Sequence, residues 1–371
     1  MDRNRRRIRY AVVGLGNLTQ RAVLPAFSTT RNSELVAFTT GNPEKTAKLA
    51  KQYRITQAFS YQDYDECLRS GIDAVFIGLP NHLHCEYAVR AAEAGIHVLC
   101  EKPMAVNEDE CRRMIAAAKL ARVKLMIAYR LHFEEGTLAA IELANSGKIG
   151  ELRYFTSAFS QQVAAGNVRV EVSLDLGGGS MFDMGVYCIN AVRYIFRDEP
   201  VEVIGTIAKG TDPRFRKTKE EMTSAILRFP GDRIATITSS FGAAGFAEYS
   251  VTGTDGWVRV SPAFDYEQPV VVESKIGKRE PVTRKYPIVD QFGAEIQYFS
   301  DCILKNREPE PNGEEGLADI RIVRAMIESA RSGKPVKLGR FVKRSRPGKK
   351  LLIRKKRIKE GRVFGAPSPA R

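Results

Sequence analysis

Lys102 stands in the run Leu-Cys-Glu-Lys-Pro-Met-Ala from Leu99 to Ala105, just past an apolar stretch that reads as a strand. An ammonium delivered to the C-terminal edge of a parallel sheet sits where doubly wound folds bind their ligands. Further along, Gly177-Gly178-Gly179-Ser180-Met181-Phe182-Asp183-Met184-Gly185-Val186-Tyr187 reads as a flexible approach to a helix. Asp183 and Tyr187 are four residues apart, so a helix presents both from one face. A carboxylate and a phenol side by side can bind and deprotonate a hydroxylated molecule. The competing reading is structural, with Ser180 as N-cap and Asp183 completing a capping box.

The start of the chain supplies a second candidate site, for a dinucleotide. Gly14-Leu15-Gly16-Asn17-Leu18-Thr19 follows an apolar strand and opens a helix. Gly14 suits the tight turn, while Gly16, Asn17 and Leu18 bring backbone N–H groups to a pyrophosphate at the helix N-terminus. Thr19 replaces the third glycine of the fingerprint, which predicts a helix set slightly further from the strand. The second strand ends in Thr39-Thr40-Gly41-Asn42 without the acid that accepts a free ribose 2′-hydroxyl, and Lys45 follows. Hydroxyl, backbone amides and a cation suit a 2′-phosphate, so NADP is favoured, with NAD possible.

Two domains must position these groups. Apolar runs at Tyr10–Val13, Leu35–Phe38, Ala74–Leu79, Val98–Cys100 and Leu125–Ala128 alternate with helical patterns, the signature of βαβ units and a parallel sheet. After Gly150 the pattern changes to alternating segments between Leu152 and Ser274 separated by hairpin-like loops. Helical patterns at 182–196, 292–305 and 316–332 suffice to cover one face of a sheet. The expected architecture is an α/β Rossmann domain with a doubly wound parallel sheet over residues 10–130. An α+β domain with a largely antiparallel open sheet, for substrate and oligomerisation, follows over 131–342. A basic arm (1–9) and a basic, disordered tail (343–371) flank them.

Of 371 residues, 43% are apolar and 27% charged, as in a soluble globular protein. No apolar stretch approaches the ~20 residues that cross a bilayer, and no export signal precedes the first strand, so a cytoplasmic protein without membrane association is expected. The net charge of +15 is confined to the ends: five arginines lie in the first nine residues and twelve Lys or Arg follow Val342. The body is neutral overall, leaving weak nonspecific polyanion binding by the tail as the one charge-driven partnership. Six cysteines lack zinc spacing and are too sparse for a disulfide scaffold. His82 and His84 lack a nearby third ligand, so no metal is expected.

These motifs together resemble the oxidoreductase family named for glucose-fructose oxidoreductase, inositol dehydrogenase and a rhizopine-catabolism protein, and most of all its glucose-fructose oxidoreductase branch. The similarity runs from Arg9 to Val336. It includes Thr40-Gly41-Asn42, Leu79-Pro80-Asn81 with His84, Glu101-Lys102-Pro103, Tyr129-Arg130 with His132, the Gly177–Tyr187 segment and Gly313-Glu314-Glu315-Gly316. The resemblance implies that Tyr187, standing where most members have His, is the general acid/base and that Lys102 is its neighbouring lysine. Asp183 would hold a second substrate hydroxyl, and Leu79, Asn81, His84, Glu101, Lys102 and Arg130 would complete the cofactor site. Arg130 and Asn81 would orient substrate and nicotinamide. The implied activity is hydride transfer between the anomeric carbon of an aldose and NADP, in a homo-oligomer packed through the second sheet. The branch's namesake retains NADP beneath an N-terminal arm; with nine residues ahead of the first strand here, exchangeable NADP is expected. Two rivals share the motifs: a reductase for a non-sugar carbonyl or polyol, separated by a substrate panel, and a non-catalytic sensor binding nucleic acid through its tail. Joint presence of Lys102, Asp183 and Tyr187 argues against the second.

Overall fold

A computed structural model describes residues 6–343 and 345–370. The described chain forms two compact units. The first holds the residues up to Arg130 together with Val289–Gly316 and Ile353–Ser368; the second holds Leu131–Ile288, Leu317–Leu352 and the residues after Ser368.

The first unit is built on six parallel strands: β1 (Ile8–Val13), β2 (Ser33–Thr39), β3 (Gln57–Phe59), β4 (Ala74–Ile77), β5 (His97–Glu101) and β6 (Leu125–Ala128). Their order is β3-β2-β1-β4-β5-β6. The strands are added outward in one direction from β1 to β3 and in the other from β4 to β6, so β1 and β4 flank the switch point at which such sheets bind ligands beyond their C-terminal edge. Every residue of β4 and β6 is buried, which is why these strands read as continuous apolar runs. β3 escaped the sequence reading because Gln-Ala-Phe carries no apolar run.

The helix Gln291–Leu304 was expected over the second sheet and belongs instead to the first unit. It packs on β1 and β2, with the Ser300 hydroxyl 2.8 Å from both the Tyr10 and Ser33 hydroxyls. An amphipathic pattern states that a helix has a buried face, not which sheet buries it.

The second unit carries β7 (Leu152–Ser160), β8 (Glu202–Ala208), β9 (Met222–Phe229), β10 (Arg233–Ser240), β11 (Phe246–Gly253), β12 (Gly256–Val260), β13 (Val270–Ile276), β14 (Val282–Tyr286) and β15 (Val336–Lys337). They form one sheet in the order β14-β13-β12-β11-β7-β10-β9-β8-β15. All neighbours run antiparallel except β7 and β10. Burial alternates along β9, so one face of the sheet is covered and the other is open. The helix Val186–Phe196, buried at every position but Tyr187, packs on the covered face.

Residues 345–370 follow a defined path, which corrects the disordered tail that their composition predicts. Lys349–Leu351 form a helical turn, and the irregular backbone beyond is hydrogen-bonded to other segments. Low hydrophobicity withholds a core of its own from this segment, but side chains elsewhere can still hold it in place.

Candidate active site and nucleotide site

The turn after β1 is fixed by backbone contact. Gly14 adopts φ +90°, and a Cβ there would lie 2.5 Å from the Gly78 carbonyl oxygen, so only glycine fits. At Gly16 a Cβ would meet nothing within 4 Å, leaving open space beside the first helical turn. Thr19 is buried with its hydroxyl oxygen against Gly78, so the small residue the packing needs stands at the end of β4.

The adenosine edge is assembled around the second helix, Pro43–Tyr53. Asn42 caps it by accepting from the Lys45 backbone N–H at 2.9 Å, a bond worth ~1 kcal/mol. The Lys45 ammonium donates to the Leu15 carbonyl oxygen at 3.1 Å, joining this helix to the glycine turn. Burial pushes its pKa below the ordinary lysine range. Thr40 is buried and hydrogen-bonded to Tyr61, and the Tyr61 ring also backs Gly41. The Thr40 side chain thus bonds Tyr61 next to Gly41, Asn42 and Lys45, the residues expected at a 2′-phosphate.

Beyond the C-terminal ends of β4 and β5, the His84 ring is fully buried and clamped between two backbone carbonyls, Pro103 O at 2.8 Å from Nδ1 and Leu79 O at 2.9 Å from Nε2. It braces the turn carrying Leu79 and Asn81 against the turn carrying Lys102. Lys102 is 9% exposed, and its backbone N–H donates to the Glu101 carboxylate at 3.2 Å. Leu79 reaches back toward Gly14. Arg130, expected to orient substrate or nicotinamide, is buried, donates to Gln291 Oε1 and lies 5.9 Å from the Phe292 ring centroid. Its place in this unit is to tie the end of β6 to the helix Gln291–Leu304.

In the second unit, from Gly177 to Phe196, only Asp183 and Tyr187 escape full burial. Both belong to one helical stretch, the wide turn Met181–Gly185 running into Val186–Phe196, so they open to the surface together. The capping-box alternative fails. Ser180 makes no side-chain cap; its hydroxyl donates to Glu220 Oε1 and its N–H to Glu220 Oε2, both at 2.6 Å. A Cβ at Gly179 would sit 2.2 Å from that carboxylate, which accounts for the glycine run. Asp183 pairs with Arg169 at 3.0 Å. The Tyr187 ring packs against Phe159 and Phe264, with centroids 5.7 and 5.8 Å away. Phe264 is held at φ +63°, an uncommon conformation that aims its ring at this cluster.

Residues 8–129 match the oxidoreductase family with an NAD-binding Rossmann fold, and residues 137–259 match the GFO/IDH/MocA C-terminal domain. The chain belongs to the GFO/IDH/MocA oxidoreductase family. It is 31% identical to a D-xylose 1-dehydrogenase [NADP(+)] of Haloarcula marismortui over 89% of this chain and 93% of that one. It is 27% identical to a trans-1,2-dihydrobenzene-1,2-diol dehydrogenase of Xenopus laevis over 80% and 88% of the two chains. The crystal structure of an aldose-aldose oxidoreductase from Caulobacter crescentus superposes with a TM-score of 0.85 at 36% identity, covering 90% of this chain and all of that one.

For a GFO/IDH/MocA oxidoreductase, three contributors had no sequence signal. Glu220 holds the Ser180 turn from the loop before β9, Arg169 reaches Asp183 from the short helix Val168–Glu171, and Phe264 flanks Tyr187 from the loop after β12. Each is distant in sequence from the residue it supports.

Proposed function

We propose that this chain is an NADP-dependent sugar oxidoreductase that oxidises an aldose at its anomeric carbon. The observation that carries the reading is the joint opening of Asp183 and Tyr187 from an otherwise buried glycine-led helix. The aldose and xylose activities named for similar proteins supply the substrate class. Bound NADP supplies the hydride acceptor. Tyr187 takes the C1 hydroxyl proton as the hydride leaves C1, so that C1 becomes the carbonyl of a lactone. Lys102 donates a hydrogen bond to the reacting oxygen. Asp183, oriented by Arg169, accepts from a neighbouring sugar hydroxyl.

The dinucleotide fits the residues present. The cradle beside Gly16 takes the pyrophosphate, and Gly41, Asn42 and the Lys45 ammonium suit a 2′-phosphate where an acid would repel it. The deciding experiment is NADP reduction across a panel of aldoses, polyols and dihydrodiols with the product identified. Lactone formation from an aldose supports the proposal. Turnover confined to non-sugar diols, the chemistry named for the Xenopus relative, overturns the sugar assignment.

A further inference from the structure

The C-terminal segment of the first unit lies across the dinucleotide turn. Its approach is anchored by Lys355, whose ammonium bonds Gln297 Oε1 at 2.6 Å as well as the Thr29 carbonyl, and by Glu360, which takes the Arg21 guanidinium at 2.6 Å. At Gly361 the segment touches the helical turn Thr19–Val23 directly: its N–H donates to Arg21 O at 2.9 Å, and a Cβ there would lie 2.1 Å from Gln20 O.

Gln20 then grips the segment from both sides. Its side chain is fully buried, its Oε1 accepts from the Phe364 N–H at 2.7 Å, and its Nε2 donates to Phe364 O at 3.0 Å and to Leu15 O at 2.8 Å. Next, Asn17 Nδ2 donates to Ala366 O at 3.1 Å. The Phe364 ring lies 5.9 Å from the Lys48 ammonium, and Gly365 passes beside Asn42. The segment therefore crosses from the glycine turn to the cap of the second helix, over the stretch where the pyrophosphate and adenosine ribose would lie.

We infer that Gly361–Pro367 is a strap that forms the outer wall of the adenosine end of the cofactor site and retains the bound dinucleotide. The inference rests on the nucleotide-site reading above. Its chemistry suits retention over competition. The strap bonds the side chains of Asn17 and Gln20, while the first-turn backbone N–H groups, which have no intrahelical acceptor, are the groups a pyrophosphate takes. Half-buried Phe364 keeps part of an aromatic face for a purine. From Ile353 to Ser368 the segment carries six Lys or Arg against Glu360, a favourable charge for a ligand bearing several phosphates. Lying outside any helix or strand, it can lift without unfolding one. Release of the cofactor must wait for that opening, so the expectation of freely exchangeable NADP is reversed.

The test is stopped-flow release of NADPH, followed by its fluorescence after a chase with excess NADP, in three proteins: full length, truncated after Leu352, and Phe364→Ala. Truncation should speed release about tenfold or more, a change of ~1.4 kcal/mol, and Phe364→Ala should speed it severalfold. If the truncated protein does not fold, Phe364→Ala alone decides. Release at the full-length rate from the folded variants overturns the strap. Tighter binding after truncation also overturns it, because the segment would then compete with the cofactor. A full-length protein that binds neither NADPH nor NADH overturns the nucleotide reading itself, and the strap with it.

Discussion

Tyr187 is a half-buried phenol whose ring joins Phe159 and Phe264 in a three-ring cluster. If it moves the substrate proton, Tyr187→Phe should lower turnover ~100-fold or more, as is usual for lost acid/base assistance. Lys102→Ala should do the same, and Tyr187→Phe should keep its NADP affinity by titration. Turnover near the parent value in Tyr187→Phe would remove it from the chemistry. Glu295 poses a different residue-scale question. Burial pushes its carboxyl well above the usual range near 4.5, Glu101 adds to the rise and Arg130 opposes it, and its Oε2 has no hydrogen-bond partner among the described residues. The folded state then binds this proton more tightly than the unfolded chain, so the group's contribution to stability is full below pH 4.5 and declines as pH rises toward the folded value. Glu295→Gln keeps a neutral side chain throughout. Its melting temperature should fall less than the parent's between pH 4.5 and 8, and parallel curves would show that Glu295 is not held neutral.

The elements decide cofactor choice. The Lys45 ammonium is placed by the cap of its own helix and by the glycine turn, beside the edge where a 2′-phosphate would lie. Lys45→Ala should weaken NADP about tenfold and leave NAD little changed, and equal losses measured by titration would make it a structural tie between turn and helix. The strand and helix series of the first unit was legible because central parallel strands are buried on both faces and so read as unbroken apolar runs. β14 was not, since Val-Thr-Arg-Lys-Tyr is an exposed edge whose pairing with β13 leaves no apolar alternation. The Ser180 cap was read from spacing alone, yet the carboxylate that satisfies this turn arrives from Glu220, forty residues away in the chain.

For the whole molecule, the open face of the second sheet is the feature that an isolated chain would leave wet. Ile204 pairs directly with Ile226, and Ile234 with Tyr154, and all four side chains are exposed on the same sheet. Exposed apolar side chains on a sheet face favour association, and we propose that copies of this chain meet there. Ile226→Glu should shift the mass in solution toward the monomer, as measured by light scattering. A parent protein already monomeric at micromolar concentration would refute the assignment.

Residue types and their spacing along the chain determined the family, the glycine turn, the basic edge at Lys45 and the pairing of Asp183 with Tyr187. Those features are local, set by backbone conformation and helical period within a few residues. Tertiary structure alone decided which sheet receives the helix Gln291–Leu304, that Glu220 and Arg169 hold the Asp183 turn, and that a basic, apolar-poor C-terminal segment is held across the nucleotide turn. These depend on partners far apart in the chain. A buried amide such as Gln20 must find its hydrogen bonds somewhere, and nothing in the sequence around it says that Phe364 provides them.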